Sequence, residues 1–223
     1  MPRRRVHSFR LRLLKWFAEH GRSFPWRRPN ESVYRMVVVE VLLQRTQAAA
    51  VSGFYRVFFR DFPSWRRLSM ATLGSIEQSL RPLGLWRKRA IVLGRLAEAV
   101  SQRGGHLPKE RGEIEALPGV GQYVANAIEL IRWGRPRPLL DANMARVLER
   151  YFGPRLLADI RYDPYLQQLA HWVVDCKSPR ALNWAALDLA AMVCRPWPRC
   201  SACPIRRGCN RARGVSGARD DQC

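Results

Sequence analysis

The sequence predicts an all-α protein. Three observations carry this. Apolar residues recur at helical spacing in one segment after another. The few segments with a period of two are not bounded by hairpin turn signals. Clusters of Pro, Gly and polar residues fall between the helical segments. About ten helices follow from this pattern.

Phe9, Leu13, Leu14 and Phe17 mark the first helix, and FPWRRPNES (24–32) ends its segment. Val37, Val41, Val51, Phe54 and Phe58 keep helical spacing over a longer stretch. Within it VVVEVLL (37–43) is β-branched, but Glu40 at its centre and the flanking pattern point to a buried helix. DFPSW (61–65) and PLGLW (82–86) are breaks. Ile91, Leu93, Leu96, Ala97 and Val100 line the next helix, which RGGHLPKE (103–110) closes. LPGVGQYVANAI (117–128) reads as a tight turn and a helix starting near Gln122. GRPRP (134–138) separates it from PLLDANMARVLERYFG. From Cys194 onward Cys, Pro and Arg replace the apolar periodicity, and GVSGARDDQC reads as a frayed tail.

The chain has 223 residues, enough for one large or two small domains. With 47% apolar residues it is not a disordered chain. No uncharged apolar run approaches the ~18 residues of a membrane span. The basic start MPRRRVHSFRLRLLKWF lacks a signal-peptide core and cleavage site, so a cytoplasmic, nucleoid-associated location is expected. The net charge of +21 comes from 39 basic and 18 acidic residues. Only four of the basic residues are lysines: Lys15, Lys88, Lys109 and Lys177. Such a charge favours a polyanion, and arginine forks fit phosphate, so nucleic acid is the expected partner.

Cys194, Cys200, Cys203 and Cys209 form C-x5-C-x2-C-x5-C. This compact spacing in a cytosolic chain argues for metal rather than disulfides. Zinc and a [4Fe–4S] cluster both accept four thiolates. A zinc ribbon pairs two C-x2-C knuckles; only one exists here, which favours the cluster. Cys176, in HWVVDC, reads as a small core residue, and Cys223 as a free thiol in the tail.

In Gly119-Val120-Gly121 the glycines permit backbone angles that other residues avoid. The turn then presents amides at a helix N-terminus, an anion site suited to a DNA phosphate. A glycine-capped helical turn is the plainer alternative. Asp141, between an apolar pair and a helix, is first of all a good N-cap. A carboxylate near a DNA-anchoring hairpin could also stabilise a cationic sugar.

LPGVGQYVANAI, then LLDANMARVLERYFG, then the four-cysteine loop resembles, in that order, the helix-hairpin-helix DNA glycosylase superfamily, including endonuclease III, MutY adenine glycosylases and Mig-type thymine glycosylases. FPWR (24–27), EVLLQRTQ (40–47), DFPSW, LGLWRKRA (83–90), LNWAALDLAAMVC (182–194) and CSAC (200–203) resemble MutY and Mig segments too. The resemblance is nearly chain-long. It implies two helical domains flanking a DNA-binding cleft. One is a six-helix barrel over 32–138 that carries the hairpin motif at about 113–132. The other is an iron–sulfur domain built from 1–31 and 139–223, with 211–223 a flexible tail. It also implies base flipping, and a monovalent cation where the hairpin amides meet a phosphate. The first cysteine spacing departs from the family's usual six residues; Arg195–Arg199 supplies five.

Carried over on matching residues, Asp141 is the essential aspartate. It stabilises positive charge on the deoxyribose and orients or deprotonates water. Asn143 supports it. Tyr123 stands where strand-cleaving members have a lysine nucleophile, and a phenol forms no Schiff base. A monofunctional enzyme without efficient abasic-site lyase activity is therefore expected. Glu40 matches a carboxylate shared by MutY and Mig, which in MutY-type chemistry protonates the leaving purine. The alternative is a helix glutamate paired with Arg35 or Arg45; inside VVVEVLL it needs such a partner or a proton. Leu85 is the expected wedge that fills the gap left by the flipped base, the alternative being a loop leucine packed on the barrel. Trp86, Arg87, Lys88 and Arg89 are expected on the DNA backbone. Arg45, Gln47 and Gln122 are expected on the orphan strand or phosphates.

Tyr123 and the pattern around Asp141 are Mig-like, whereas Gln44 is MutY-like. The chain stops soon after the cysteine loop, where MutY enzymes usually continue into a domain that reads 8-oxoguanine. The expected activity is excision of thymine, and uracil, opposite guanine. A minimal MutY-like adenine glycosylase is the alternative, and a non-catalytic iron–sulfur DNA-binding protein the alternative of another class. The expected partners are double-stranded DNA carrying a mismatched or damaged base and a downstream abasic-site endonuclease; the protein is expected to be a monomer that meets no membrane.

Overall fold

In a computed structural model of the protein, residues 3–214 are described. Cys223 and the tail beyond Gly214 lie outside them. The described residues form eleven α-helices joined by loops and short 3-10 turns, with no strand. No helix among them is long and apolar enough to cross a membrane. The chain divides into two compact units, one formed by Ser23–Arg132 and the other by the residues on either side of that segment.

The Ser23–Arg132 unit begins with α2 (Val33–Leu43), α3 (Ala48–Asp61), α4 (Trp65–Ser69) and α5 (Leu73–Leu80). It continues with α6 (Trp86–Gln102), α7 (Arg111–Glu115) and α8 (Gln122–Trp133), whose last residue lies at the boundary. Side chains of Ser32, Ser64 and Thr72 cap α2, α4 and α5 by accepting backbone N–H groups. In α2 every residue from Met36 to Leu42 is buried. Burial on all sides outweighs the weak helix propensity of Val37–Val39, so the β-branched run is helical. α6 packs against α4 and α5. Phe58, Ile76, Leu80, Leu93, Leu96, Ile114 and Ile128 are fully buried.

In the other unit, α1 (Arg3–His20) packs with α9 (Ala142–Phe152), α10 (Pro164–Val174) and α11 (Pro179–Met192). Phe9, Leu13, Leu148, Leu169 and Leu189 form its core. Tyr151 meets Phe9 edge-on, with ring centroids 4.9 Å apart. Cys176 packs half-buried against this core. Arg211–Arg213 forms a 3-10 turn.

Candidate active site

In the Ser23–Arg132 unit, Glu40 sits on α2 with only 5% of its surface exposed. The Tyr123 hydroxyl, on the first turn of α8, donates to its Oε2 at 3.1 Å. A phenol from the hairpin helix thus supplies a partner of the kind that a glutamate in an apolar helix requires. Arg35, a candidate partner from the sequence, is instead 3.7 Å from Glu31.

The two hairpin glycines differ. Gly119 has φ +74°, and a Cβ there would collide with Val92 of α6. Gly121 lacks positive φ and faces open space. Val120 is buried, and its N–H donates to the Leu117 carbonyl at 3.1 Å. The Val120 amide is therefore taken up within the turn. The first helical bond of α8 runs from Ala125 N–H to the Gly121 carbonyl at 2.9 Å, so earlier N–H groups point out of the helix end. Gln122 is half-buried there. Arg111 fastens α7 to α8, its Nη1 donating to Asn126 at 2.7 Å and to the fully buried Glu129 at 2.6 Å.

Gln44, Arg45 and Gln47 are exposed between α2 and α3. Leu85 is 52% exposed directly before α6, and Arg87 and Lys88 are exposed on it. Trp86 is half-buried, with the Arg87 guanidinium 4.0 Å and that of Arg81 5.4 Å from its ring centroid. Arg89 departs from expectation. It is buried and bound to the protein's own loops, so it is not a surface contact for a DNA backbone.

Asp141 belongs to the other unit, where it is the N-cap of α9. Its Oδ1 accepts the N–H groups of Asn143 at 2.9 Å and Met144 at 2.8 Å. Its Oδ2 accepts the Asn143 side-chain amide at 2.8 Å. Capping and a catalytic role are therefore compatible, because three donors fix a half-buried carboxylate in one orientation. Two supports were not read from sequence. Buried Asn183 holds the approach to Asp141, accepting Leu139 N–H at 2.6 Å and donating to the Arg137 carbonyl at 3.0 Å. Arg146 donates to Asn143 Oδ1 at 3.0 Å and to the Cys194 carbonyl at 2.8 Å, linking the aspartate's neighbour to the cysteine loop. The signal for Asn183 is a polar residue inside the apolar run LNWAALDLAAM; Arg146 had none.

Cys194, Cys200, Cys203 and Cys209 are half-buried, and none is in a disulfide. A bond from Arg199 N–H to the Val193 carbonyl, 2.9 Å, closes the five-residue segment 195–199 into a loop. Arg150 braces that loop through the carbonyls of Arg195 and Pro196, at 2.5 and 2.9 Å, and its Nη1 lies 3.5 Å from Cys194 Sγ. Four half-buried thiols outside any disulfide, with a cation beside one of them, fit the donor chemistry of an iron–sulfur cluster. As placed, no three His, Cys, Asp or Glu side chains among the described residues gather into a metal-binding group.

The chain matches the family described as HhH-GPD superfamily base excision DNA repair protein over residues 38–159, a span that includes Glu40, the hairpin and Asp141. It is 36% identical over 204 residues to a thymine/uracil-DNA glycosylase of Pyrobaculum aerophilum, covering 89% of this chain and 88% of that one. It is 36% identical over 220 residues to the human adenine DNA glycosylase, covering 93% of this chain but 40% of that protein. Its fold is similar to the solved structure of a thermostable thymine-DNA glycosylase, with a TM-score of 0.87 at 30% identity over 95% of this chain and 98% of that one. Glu40, the glycine hairpin and a capped Asp141 thus stand in a chain that belongs to the HhH-GPD superfamily of base excision DNA repair proteins.

Proposed function

We propose that the protein is a monofunctional DNA glycosylase that excises thymine, and uracil, from mismatches with guanine. The observation that carries this reading is the Tyr123 phenol hydrogen-bonded to Glu40. It occupies the first turn of α8 where a lysine would be needed for Schiff-base chemistry, and none of the four lysines lies in 117–128. The similarity to thymine/uracil- and thymine-DNA glycosylases over nearly the whole of both chains supports the substrate class.

In this reading the target base leaves with the electron pair of its bond to C1′ and gains a proton. Water adds to C1′ and loses one. Asp141, oriented by Asn143 and the start of α9, stabilises the positive charge on the sugar and receives the proton from water. Glu40, fixed by Tyr123, manages the proton of the departing base. Gly121 and the first amides of α8 bind a backbone phosphate, with a monovalent cation beside the hairpin. Leu85 fills the vacated stack, while Gln44, Arg45, Gln47, Trp86, Arg87 and Lys88 contact DNA. The protein acts as a monomer, and the abasic product passes to an abasic-site endonuclease. Cys194, Cys200, Cys203 and Cys209 hold a [4Fe–4S] cluster, which when bound supplies a rigid cross-link for their loop. About four iron and four sulfide per protein chain would support it, and stoichiometric zinc without iron would refute it.

Single-turnover base release from labelled T:G, U:G, A:G and A:8-oxoguanine duplexes, with and without alkali, tests the activity. Cleavage of T:G and U:G only after alkali is the expected result. The equal identity to the human adenine DNA glycosylase favours a second reading, which release of adenine alone would establish. Strand cleavage without alkali would overturn the monofunctional assignment.

A further inference from the structure

Two non-glycine residues among those described have positive φ: Arg45 at 59° and Leu85 at 49°. Left-handed backbone is unfavourable for L-residues and persists only where surrounding structure over-determines it. Both residues are exposed, so their own side chains do not hold them there.

Beside the backbone bond from Thr46 N–H to the Leu43 carbonyl, at 3.1 Å, a single guanidinium binds both loops. Arg89, in the first turn of α6, is 6% exposed. Its Nη1 donates to the carbonyls of Leu83 at 2.8 Å and Gly84 at 2.9 Å. Its Nη2 donates to the Gln44 carbonyl at 2.7 Å and to the Thr46 hydroxyl. The Gly84 carbonyl belongs to the peptide that enters Leu85, and the Gln44 carbonyl to the peptide that enters Arg45. The Arg89 N–H also donates to the Leu85 carbonyl at 3.1 Å. All four side-chain partners are neutral oxygens, and burial without a carboxylate pushes the guanidinium pKa down. The cation is kept in the interior for its geometry: a rigid planar fork can tie two loops at a set separation, whereas an ammonium cannot.

We infer that Arg89 is a positioning residue that mounts Leu85 and Arg45 as one preformed pair and thereby speeds the unstacking of the target base. This rests on the proposed glycosylase function. A wedge already held in place needs no ordering when the base leaves the stack. Loosening the pair therefore slows base extrusion more than it weakens DNA binding.

The test uses the full chain with Arg89→Met and Arg89→Lys. 2-Aminopurine beside a T:G mismatch reports unstacking, and base release is followed at saturating enzyme. Arg89→Met should slow both by about 10- to 100-fold, with DNA affinity changed less than threefold. In an Arg45→Ala/Leu85→Ala background, Arg89→Met should cost less than threefold more, because its targets are already gone. Full additivity would overturn the inference. Hydrogen exchange without DNA gives a second readout: residues 44–47 and 83–86 should exchange faster together in both variants, and unchanged exchange in either loop would overturn the clamp. If Arg89→Met fails to fold, Arg89→Lys carries both readouts. If the wild-type protein releases no base from any duplex, the functional reading fails, while the exchange data still decide the clamp.

Discussion

The two glycines of the hairpin should separate folding from DNA binding. At Gly119 an added methyl meets Val92 and must also occupy φ +74°. The left-handed backbone costs about 1–2 kcal/mol, and forcing Val92 aside costs about 1–3 kcal/mol. For a protein of this size, each kcal/mol lowers the melting temperature by about 2–4 °C. Gly119→Ala should therefore melt lower by roughly 4–20 °C. At Gly121 the methyl meets nothing in the free protein, so the melting temperature should stay within about 2 °C of wild type. If the Gly121 amide lies against a phosphate, the methyl obstructs that approach. Losing one hydrogen bond to a charged group costs about 1.5–3 kcal/mol, which weakens duplex binding by about 10- to 150-fold. Thermal unfolding by circular dichroism and fluorescence anisotropy with a labelled duplex at fixed salt measure the two effects. Equal melting of both variants, or unchanged DNA affinity in Gly121→Ala, would refute the division of roles.

Asp141→Asn retains a capping side chain, so it should fold normally while base release falls by about 10²–10⁴-fold; wild-type release in single-turnover assays would remove Asp141 from the chemistry. Asp163 caps α10, and burial, which would raise its pKa, is outweighed by backbone N–H groups of Leu166, Leu157 and Leu156, which hold it below the usual 3.8. A depressed carboxylate contributes stability above its unfolded pKa and loses it as pH falls through the folded value. The melting-temperature gap between wild type and Asp163→Asn should therefore narrow as pH is lowered from 6 towards 3, and a constant gap would contradict this.

Periodicity was enough to read the helical class, because 3.6-residue spacing of apolar side chains is a local property of the chain. The same holds for Asp141 as a cap and for a helix beginning at Gln122, since capping and turn chemistry act over four residues or fewer. Glu40 announced itself as a charge inside VVVEVLL. That Tyr123 is a partner of it was not legible, because the two residues lie 83 positions apart and meet only through packing. The two hairpin glycines look equivalent in sequence, and it is Val92, on a different helix, that makes Gly119 a packing requirement and leaves Gly121 open. Arg89 stands in a basic run, WRKR, in which residue type does not distinguish a buried side chain from exposed ones. Arg146 joins Asn143 to the cysteine loop 48 residues further on, a connection that no local pattern encodes. Local chemistry thus determined where this protein's helices begin and which carboxylates and thiols it offers. Tertiary packing decided which of its many arginines face water and which brace the loops, because burial is a property of the assembled helices and not of a residue's neighbours in sequence.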